Sequence, residues 1–161
     1  MIVVSNTSPI MNLATVGQLD LLRQIYEKVV IPQAVYSELT IGGGEQPGAK
    51  EVQRLGWIET RQVADRALVM ALRLEVDEGE AEAIALAKEL AADLLLLDER
   101  RGRAVASRLE LRFIGLLGVL IEAKQKRYIS AVKPVLDDLV AKAGFWVSQQ
   151  LYAHVLQAAG E

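Results

Sequence analysis

The segment LLLLDERRGRAV, residues 94–105, holds the pattern that decides the fold of this chain of 161 residues. Four consecutive leucines predict a short strand that is buried on both faces, and Asp98 follows them directly. Residues 101–109 then have a helical pattern. Such an alternation of short apolar strands with helices predicts a parallel sheet built from strand–helix–strand units.

The same alternation extends through most of the chain. Further strands are expected at residues 2–4, 29–31, 57–59 and 112–114, and helices at residues 8–15, 19–25, 32–39, 49–55, 64–74 and 78–91. Helices at residues 116–126, 131–143 and 148–158 would make the C-terminal third helical. We therefore expect an α/β fold with a short parallel sheet, in a single domain over residues 1–161.

The composition excludes several kinds of site. The net charge is −3 and the pI is near 5.3, whereas proteins that coat nucleic acid through charge alone are usually basic. The chain has no cysteine and a single histidine, which excludes thiolate zinc sites and histidine-rich metal cages. No apolar stretch is long enough to span a membrane and no basic leader precedes one, so we expect a soluble cytoplasmic protein.

Two polar residues stand at the carboxyl ends of predicted strands, where α/β sheets bind their ligands. Asn6 follows the first strand, and Asp98 follows the fourth. Each alone has a second interpretation as a helix N-cap, which Asn and Asp favour. For the first helix, Ser8 and Pro9 are the expected N-cap and first helical residue.

Acidic residues in two predicted helices are further candidates. On a helical wheel of about 100° per residue, Glu80 lies on the apolar side of its helix, whereas Glu82 lies near Glu89 on the polar side and is expected to be solvated. Glu80 is explained equally by the helix dipole, which favours an acid in the first turn, or by a metal site. Glu38 flanks an apolar stripe, and alone it is read by default as a surface glutamate.

Taken together, Glu38, Glu80 and Asp98 predict a carboxylate cluster at one end of the sheet. Mutual repulsion makes such a cluster costly unless a cation neutralises it. Oxygen ligands without histidine or cysteine suit Mg²⁺ or Mn²⁺. These ions activate water and stabilise the leaving oxygen in phosphodiester cleavage, so the cluster indicates nuclease chemistry.

Five motifs in a fixed order give the chain a family likeness. They are VVSNTSPIMNLA (3–14), VVIPQAVYSEL (29–39), VDEGEAEAIALA (76–87), LLLLDERRGRAVA (94–106) and FIGLLGVLIEAK (113–124). In this order and spacing they resemble the PIN-domain ribonucleases, in particular the VapC-like branch labelled DUF3368. The resemblance covers about residues 2–127, with the C-terminal helices of residues 128–161 beyond it.

The resemblance implies a three-layer α/β/α sandwich and an Mg²⁺- or Mn²⁺-dependent hydrolysis of RNA by an acidic quartet. By position, the quartet is Asn6, Glu38, Glu80 and Asp98. Glu80 is preferred to Glu82 because it stands eighteen residues before Asp98, which is the usual family spacing.

The resemblance also gives a role to a small hydroxyl residue two positions after the first acid. In this chain that residue is Ser8, which would hold a metal-bound water or the first ligand.

Asn6 departs from the family pattern, which has Asp at this position. A neutral amide offers one carbonyl oxygen and removes a negative charge, so weaker metal binding and reduced activity are expected. Three explanations remain open: natural loss of activity, a site that tolerates the change, or a substitution made to silence a toxic nuclease. The alternative function is a non-catalytic PIN-fold module that binds RNA or a protein.

Partners are implied at two levels. Arg100, Arg101 and Arg103 either meet RNA phosphates or are a solvated helix start. Toxin-like relatives imply a homodimer and an antitoxin protein.

The aromatic residues are few, at 5% of the chain, and they give no sign of a base-stacking patch. In the C-terminal helices, Trp146, Tyr152 and Leu156 are read as core in preference to an interface. The run Gly42-Gly43-Gly44 lacks the Lys-Ser/Thr partner of a phosphate-binding loop and is read as a mobile loop.

Overall fold

The computed structural model describes residues 1–41 and 44–161, so two of the three glycines of the predicted mobile loop lie outside the described residues. Five strands form one parallel sheet in the order β3-β2-β1-β4-β5. They are β1 (Val3–Ser5), β2 (Val29–Pro32), β3 (Ile58–Arg61), β4 (Leu94–Leu96) and β5 (Phe113–Ile114).

Helices cover both faces of this sheet. They are α1 (Thr7–Thr15), α2 (Asp20–Tyr26), α3 (Gln33–Thr40), α4 (Ala49–Arg54), α5 (Arg66–Leu72), α6 (Glu78–Glu89), α7 (Arg100–Arg108), α8 (Leu116–Gln125), α9 (Lys133–Lys142) and α10 (Gln149–Ala158). Each predicted strand and helix has a counterpart whose ends differ by at most two residues. The predicted α/β class with a parallel sheet and a helical C-terminal part is confirmed.

The two faces of the sheet bury different hydrophobic clusters. Because side chains alternate along a strand, Val3 and Leu96 join the cluster formed with α1–α4 and α8–α10, whereas Val4 and Leu95 join the cluster formed with α5–α7. These strand residues are almost completely buried. The short strands therefore read as continuous apolar runs because both faces are covered, which is the three-layer arrangement.

The strand order creates a switch point between β1 and β4. From β1 the chain builds the sheet outward through β2 and β3, then crosses back to place β4 on the other side of β1. Ser5 pairs with Leu96 in register, and the Asn6 amide donates to the Leu96 carbonyl at 3.1 Å. The residues that follow β1 and β4 are thus brought to one edge of the sheet, at the position where such folds bind ligands.

The start of α1 differs from the prediction. The helix begins at Thr7 with Asn6 as its N-cap residue, so the assignment of Ser8 and Pro9 as N-cap and first helical residue is wrong. The reason is that β1 extends through Ser5, and Asn6 keeps an extended backbone with φ −77° and ψ 176°. Asn6 occupies the cap position without a capping side-chain hydrogen bond.

The C-terminal helices complete one of the two clusters. Leu136, Leu139 and Val155 are buried in it, and Tyr152 and Leu156 pack against it, which confirms the core interpretation for that pair. Trp146 departs from that interpretation because its exposed fraction is 82%. Within the described ranges, every helix is too short or too polar to cross a membrane.

We predict that Leu86→Ala causes a large loss of stability, because Leu86 is fully buried in the hydrophobic cluster formed with α5–α7. We expect the free energy of unfolding in urea to fall by about 2–5 kcal/mol. Leu74→Ala removes the same atoms from a side chain that is 89% exposed, and should change stability by less than about 0.5 kcal/mol. Equal losses in the two variants would contradict this assignment of the core.

Candidate active site

Asp98 lies at the switch point, just after the end of β4. Its Oδ1 atom accepts a hydrogen bond from the Leu116 amide at 2.8 Å, and the Arg103 guanidinium lies 3.8 Å from the same oxygen. The N-cap of α7 is Glu99, so the interpretation of Asp98 as the cap of the following helix is wrong. Burial raises the pKa of Asp98, and the Leu116 amide and Arg103 oppose that rise.

Glu38 reaches the same edge of the sheet from α3. The hydroxyl of Thr7, the first residue of α1, donates to Glu38 Oε2 at 2.5 Å. Burial raises the pKa of Glu38 and Asp77 adds to the rise, whereas the Thr7 hydrogen bond lowers it. The default interpretation as a surface glutamate is wrong, because the side chain is only partly exposed and lies between Thr7 of α1 and Gly79 of α6.

Glu80 begins the buried face of α6 and is 5% exposed. Its Oε2 atom accepts from the Asp77 amide at 3.2 Å, while Asp77 Oδ1 accepts from the Glu80 amide at 2.8 Å, which forms a capping box. Burial raises the pKa of Glu80 to about 7, and repulsion from Asp77, Glu99 and Glu38 adds to the effect. The helix-terminus interpretation therefore accounts for one oxygen of this carboxylate and leaves the other to be explained.

Glu82 has a structural role, and its predicted solvation is wrong. It is 4% exposed, and one of its carboxylate oxygens accepts from the Ala34 amide in the first turn of α3 at 2.9 Å. The other pairs with Arg66 at 2.9 Å. The polar side of α6 is covered because α3 and α5 pack along it, a contact that periodicity does not reveal. Glu82, with both oxygens occupied, differs in this respect from Glu80.

The fourth and fifth predicted site residues, Asn6 and Ser8, lie around the start of α1. Asn6 is 5% exposed at the end of β1, beside the carbonyl edge of β4. The Ser8 hydroxyl is buried within the first turn of α1. Asn6 thus lies at the end of β1 beside β4, where the strand end predicted it, and Ser8 follows two residues later in α1.

Three glycines let the backbone approach the three carboxylates. A Cβ atom on Gly79 would collide with the Glu38 carboxylate, and one on Gly115 would lie 2.8 Å from Asp98 Oδ1 and collide with Arg103. These residues were not identified from the sequence. The sequence feature that could have identified them is their position within the family motifs.

Gly102 completes this set. A Cβ at this position would lie 3.2 Å from Glu80 Oε1 and 3.1 Å from Leu97. Each of the three carboxylates is thus packed against a glycine, and a larger residue would have to displace it.

The arginines after Asp98 fall into two groups. Arg100 and Arg101 are exposed and line a cleft of about 390 Å³ that also contains Glu80. Arg103 instead donates through Nε to the Leu97 carbonyl at 2.9 Å and lies over the Phe113 ring at 5.4 Å. Arg100 and Arg101 are therefore free to meet a phosphate, whereas Arg103 supports the end of β4.

The side-chain oxygens at this edge of the sheet show whether the site suits a divalent cation. In the described part of the chain, the buried side-chain oxygens without a hydrogen-bond partner belong to Ser8, Glu80 and Asp98, all of them predicted site residues. Hard divalent cations prefer such oxygen ligands. Among those same described residues, no three acidic or histidine side chains are close enough together to hold a metal ion. These carboxylate and hydroxyl oxygens are therefore of the type that Mg²⁺ or Mn²⁺ prefers. The protein would supply only some of the ligands of such an ion.

An open parallel sheet with carboxylates at its switch point defines a class of α/β proteins that bind ligands at the strand ends. A sequence model of the DUF3368 family, described as a PIN domain, matches residues 2–161. The chain therefore belongs to the DUF3368 family of PIN domains, which generally use divalent metal ions. A search of curated proteins found no match.

The glycine contacts predict a specific intolerance at Gly115. We expect Gly115→Ala to lower the free energy of unfolding by about 1–3 kcal/mol, because the new methyl group must displace Asp98 and Arg103. Gly56→Ala is the matched control, since a Cβ there meets nothing within 4 Å. Its stability in urea should be unchanged or raised by up to about 1 kcal/mol. Similar losses in both variants would show that the close approach is not required.

The raised pKa of Glu80 predicts how stability depends on pH. The folded-state pKa of about 7 exceeds the ordinary value of 4.5, so the folded chain holds a proton that the unfolded chain has released. Stability should therefore fall as pH rises from about 4.5 to 7, and Glu80→Gln should reduce that fall. Urea unfolding in EDTA at several pH values measures both effects, with Glu59→Gln as control, because Glu59 is partly exposed and pairs with the exposed Arg61. An unchanged slope in Glu80→Gln would contradict the prediction.

Proposed function

We propose that the protein is a metal-dependent endoribonuclease of the PIN type, in which Glu38, Glu80 and Asp98 bind Mg²⁺ or Mn²⁺ with Asn6. The observation that carries this proposal is the coincidence of two independent features. In the described part of the chain, the buried side-chain oxygens without partners belong to Ser8, Glu80 and Asp98, which are residues that the family motifs select, and Asp98 follows β4, which lies beside β1 in the sheet. Membership of the PIN family supports a nuclease fold.

Hydrogen bonds within the chain would orient the carboxylates for catalysis. Thr7 and the Leu116 amide each hold one oxygen of a carboxylate, so that Glu38 and Asp98 are oriented before a ligand arrives. A bound divalent cation supplies charge stabilisation and makes water a better nucleophile. The Ser8 hydroxyl, which has no partner in the described part of the chain, would hold a water beside these carboxylates.

Substrate binding would fall to the exposed arginines. Arg100 and Arg101 lie in the first turn of α7, two and three residues after Asp98, and they line the cleft that contains Glu80. Their guanidinium groups would position an RNA phosphate between the carboxylates. Arg103 would act indirectly, because it binds the Leu97 carbonyl and stands beside Asp98.

Asn6 limits the activity expected of this chain. Its neutral amide offers one carbonyl oxygen where a carboxylate would offer two, and it leaves the site with one negative charge fewer. A lower affinity for divalent cations and slower cleavage follow from this difference. Asn6→Asp should therefore raise both.

The proposal extends to biological role and partners. We propose a cytoplasmic toxin of a toxin–antitoxin pair, which acts on RNA, forms a homodimer and is bound by an antitoxin protein. This part rests on the family resemblance. Size-exclusion chromatography with light scattering tests the dimer, and a mass near 17.6 kDa would contradict it.

A second candidate is a non-catalytic PIN-fold module that binds RNA or a protein. Two observations favour it: Asn6 replaces an expected acid, and the described residues bring no three metal-binding side chains together. Such a module would bind its target and leave it intact in the presence of Mg²⁺ or Mn²⁺. The two candidates therefore differ in whether the RNA is cleaved when Mg²⁺ or Mn²⁺ is present.

A cleavage assay with Mn²⁺ on a labelled structured RNA separates the candidates. We expect weak, EDTA-sensitive cleavage by this chain, faster cleavage by Asn6→Asp, and none when Asp98→Asn is added. Removing a carboxylate from a cation site should cost roughly 100-fold or more, an effect of about 3 kcal/mol on the barrier.

Asp138→Asn is the matched control for this assay, because Asp138 is an exposed acid on α9 that pairs with Lys142. It should cleave like the parent chain. RNA binding without cleavage, in both the parent and Asn6→Asp, would favour the second candidate. Cleavage that survives in Asp98→Asn would contradict the proposed site.

A further inference from the structure

A large groove lies beside Asp98 and is separate from the cleft that contains Glu80. Its volume is about 890 Å³, and its walls come from the end of β4, the start of α7, β5, α8 and the segment between α9 and α10. The lining residues that matter here are Asp98, Arg100, Arg103, Phe113, Phe145 and Trp146. We call it the aromatic groove. It joins a candidate site residue to aromatic side chains that lie far from it in sequence.

Trp146 is held outward by the segment that carries it. Phe145 and Val147, its neighbours, pack against the hydrophobic cluster, whereas Trp146 is 82% exposed. The Phe145 amide donates to the Leu139 carbonyl at 3.0 Å, and the Ser148 hydroxyl accepts from an amide in the first turn of α10. The backbone is therefore held on both sides of Trp146, and the indole projects from a fixed segment of the chain into solvent.

Arginines line the same groove as this indole. Arg100 lines both the aromatic groove and the cleft that contains Glu80, so the two depressions share one guanidinium. Asp98 lies in the first and Glu80 in the second. Arg73 and Arg101 line the cleft without any aromatic partner. The two depressions thus differ: aromatic side chains and arginines line the one beside Asp98, whereas arginines and acidic residues, without an aromatic side chain, line the one that contains Glu80.

We infer that the aromatic groove binds one unpaired nucleobase of a single-stranded RNA segment, stacked on Trp146, while Arg100 holds the phosphate that leads toward Glu80 and Asp98. The inference rests on the proposed function and adds Trp146 to the candidate site as the residue that binds a base. Exposed aromatic rings combined with arginines are the usual means of binding single-stranded nucleic acid, because every base has a face that stacks. Bases within a duplex are stacked on each other and do not offer that face.

The aromatic groove is a feature that the composition of the chain does not reveal. Trp146 and Phe113 come together with Arg100 and Arg103 only in the folded chain. Composition gives the number of aromatic residues, which is low, and does not show where they gather.

The test is binding of a fluorescently labelled 12-nucleotide oligouridylate in EDTA, which prevents metal-dependent cleavage. We expect Trp146→Ala to weaken binding roughly 5- to 100-fold, and Trp146→Phe to retain most of the affinity. Tyr128→Ala is the matched control, since Tyr128 is an aromatic residue with 42% exposure outside the aromatic groove, and it should bind like the parent.

A second probe isolates the base from the backbone. An abasic ribose-phosphate oligomer of the same length should bind the parent and Trp146→Ala equally, because it has nothing to stack. Equal affinity of both proteins for oligouridylate would overturn the inference, and if Mn²⁺-dependent cleavage persists, the proposed function stands without it. A changed oligomeric mass in Trp146→Ala with unchanged RNA affinity would also overturn the inference, by assigning the groove to a protein interface. Failure of the parent chain to bind oligouridylate would also overturn the inference, and the Mn²⁺ cleavage assay then decides the proposed function separately.

Discussion

The parallel pairing of β1 with β4 is the constraint on which the candidate site depends. Ser5 is in register with Leu96, and Asn6, the residue that follows β1, donates its amide to the Leu96 carbonyl of β4. The residues that follow these strands therefore share one edge of the sheet, between the two halves of its topology. Glu38 is joined to this edge by Thr7, the residue after Asn6. A change in strand register would separate all of these groups at once.

Burial of carboxylates at this edge is costly, and the chain compensates for part of that cost. Burial raises the pKa of Glu38, Glu80 and Asp98. Each nevertheless has one oxygen held by a hydroxyl or a backbone amide, and each packs against a glycine that gives it room. Such fixed, partly satisfied acids lower stability in the absence of a ligand and are typical of sites that bind cations. These hydrogen bonds leave Glu80 Oε1 and Asp98 Oδ2 as the buried carboxylate oxygens without a partner in the described part of the chain.

Much of this arrangement was predictable from local pattern. The apolar runs and the residues directly after them located Asn6 and Asp98, and the helical wheel placed Glu80 on the buried face of α6. Glu82 was misjudged because its burial is due to α3 and α5, which a single helix's periodicity does not reveal. The roles of the glycines and of Trp146 depend on contacts between distant segments, such as Gly115 with Asp98. Spacing along one element carries no information about such contacts.

The central claim is that the switch point binds a divalent cation through Glu38, Glu80 and Asp98. The most direct measurement is a crystal structure of the chain soaked in Mn²⁺, with anomalous scattering used to locate the ion. The account predicts a peak within about 2.5 Å of oxygens from at least two of these carboxylates, with waters completing the shell. An ordered Mn²⁺ ion bound only elsewhere, or no peak at this edge even in Asn6→Asp, would contradict it.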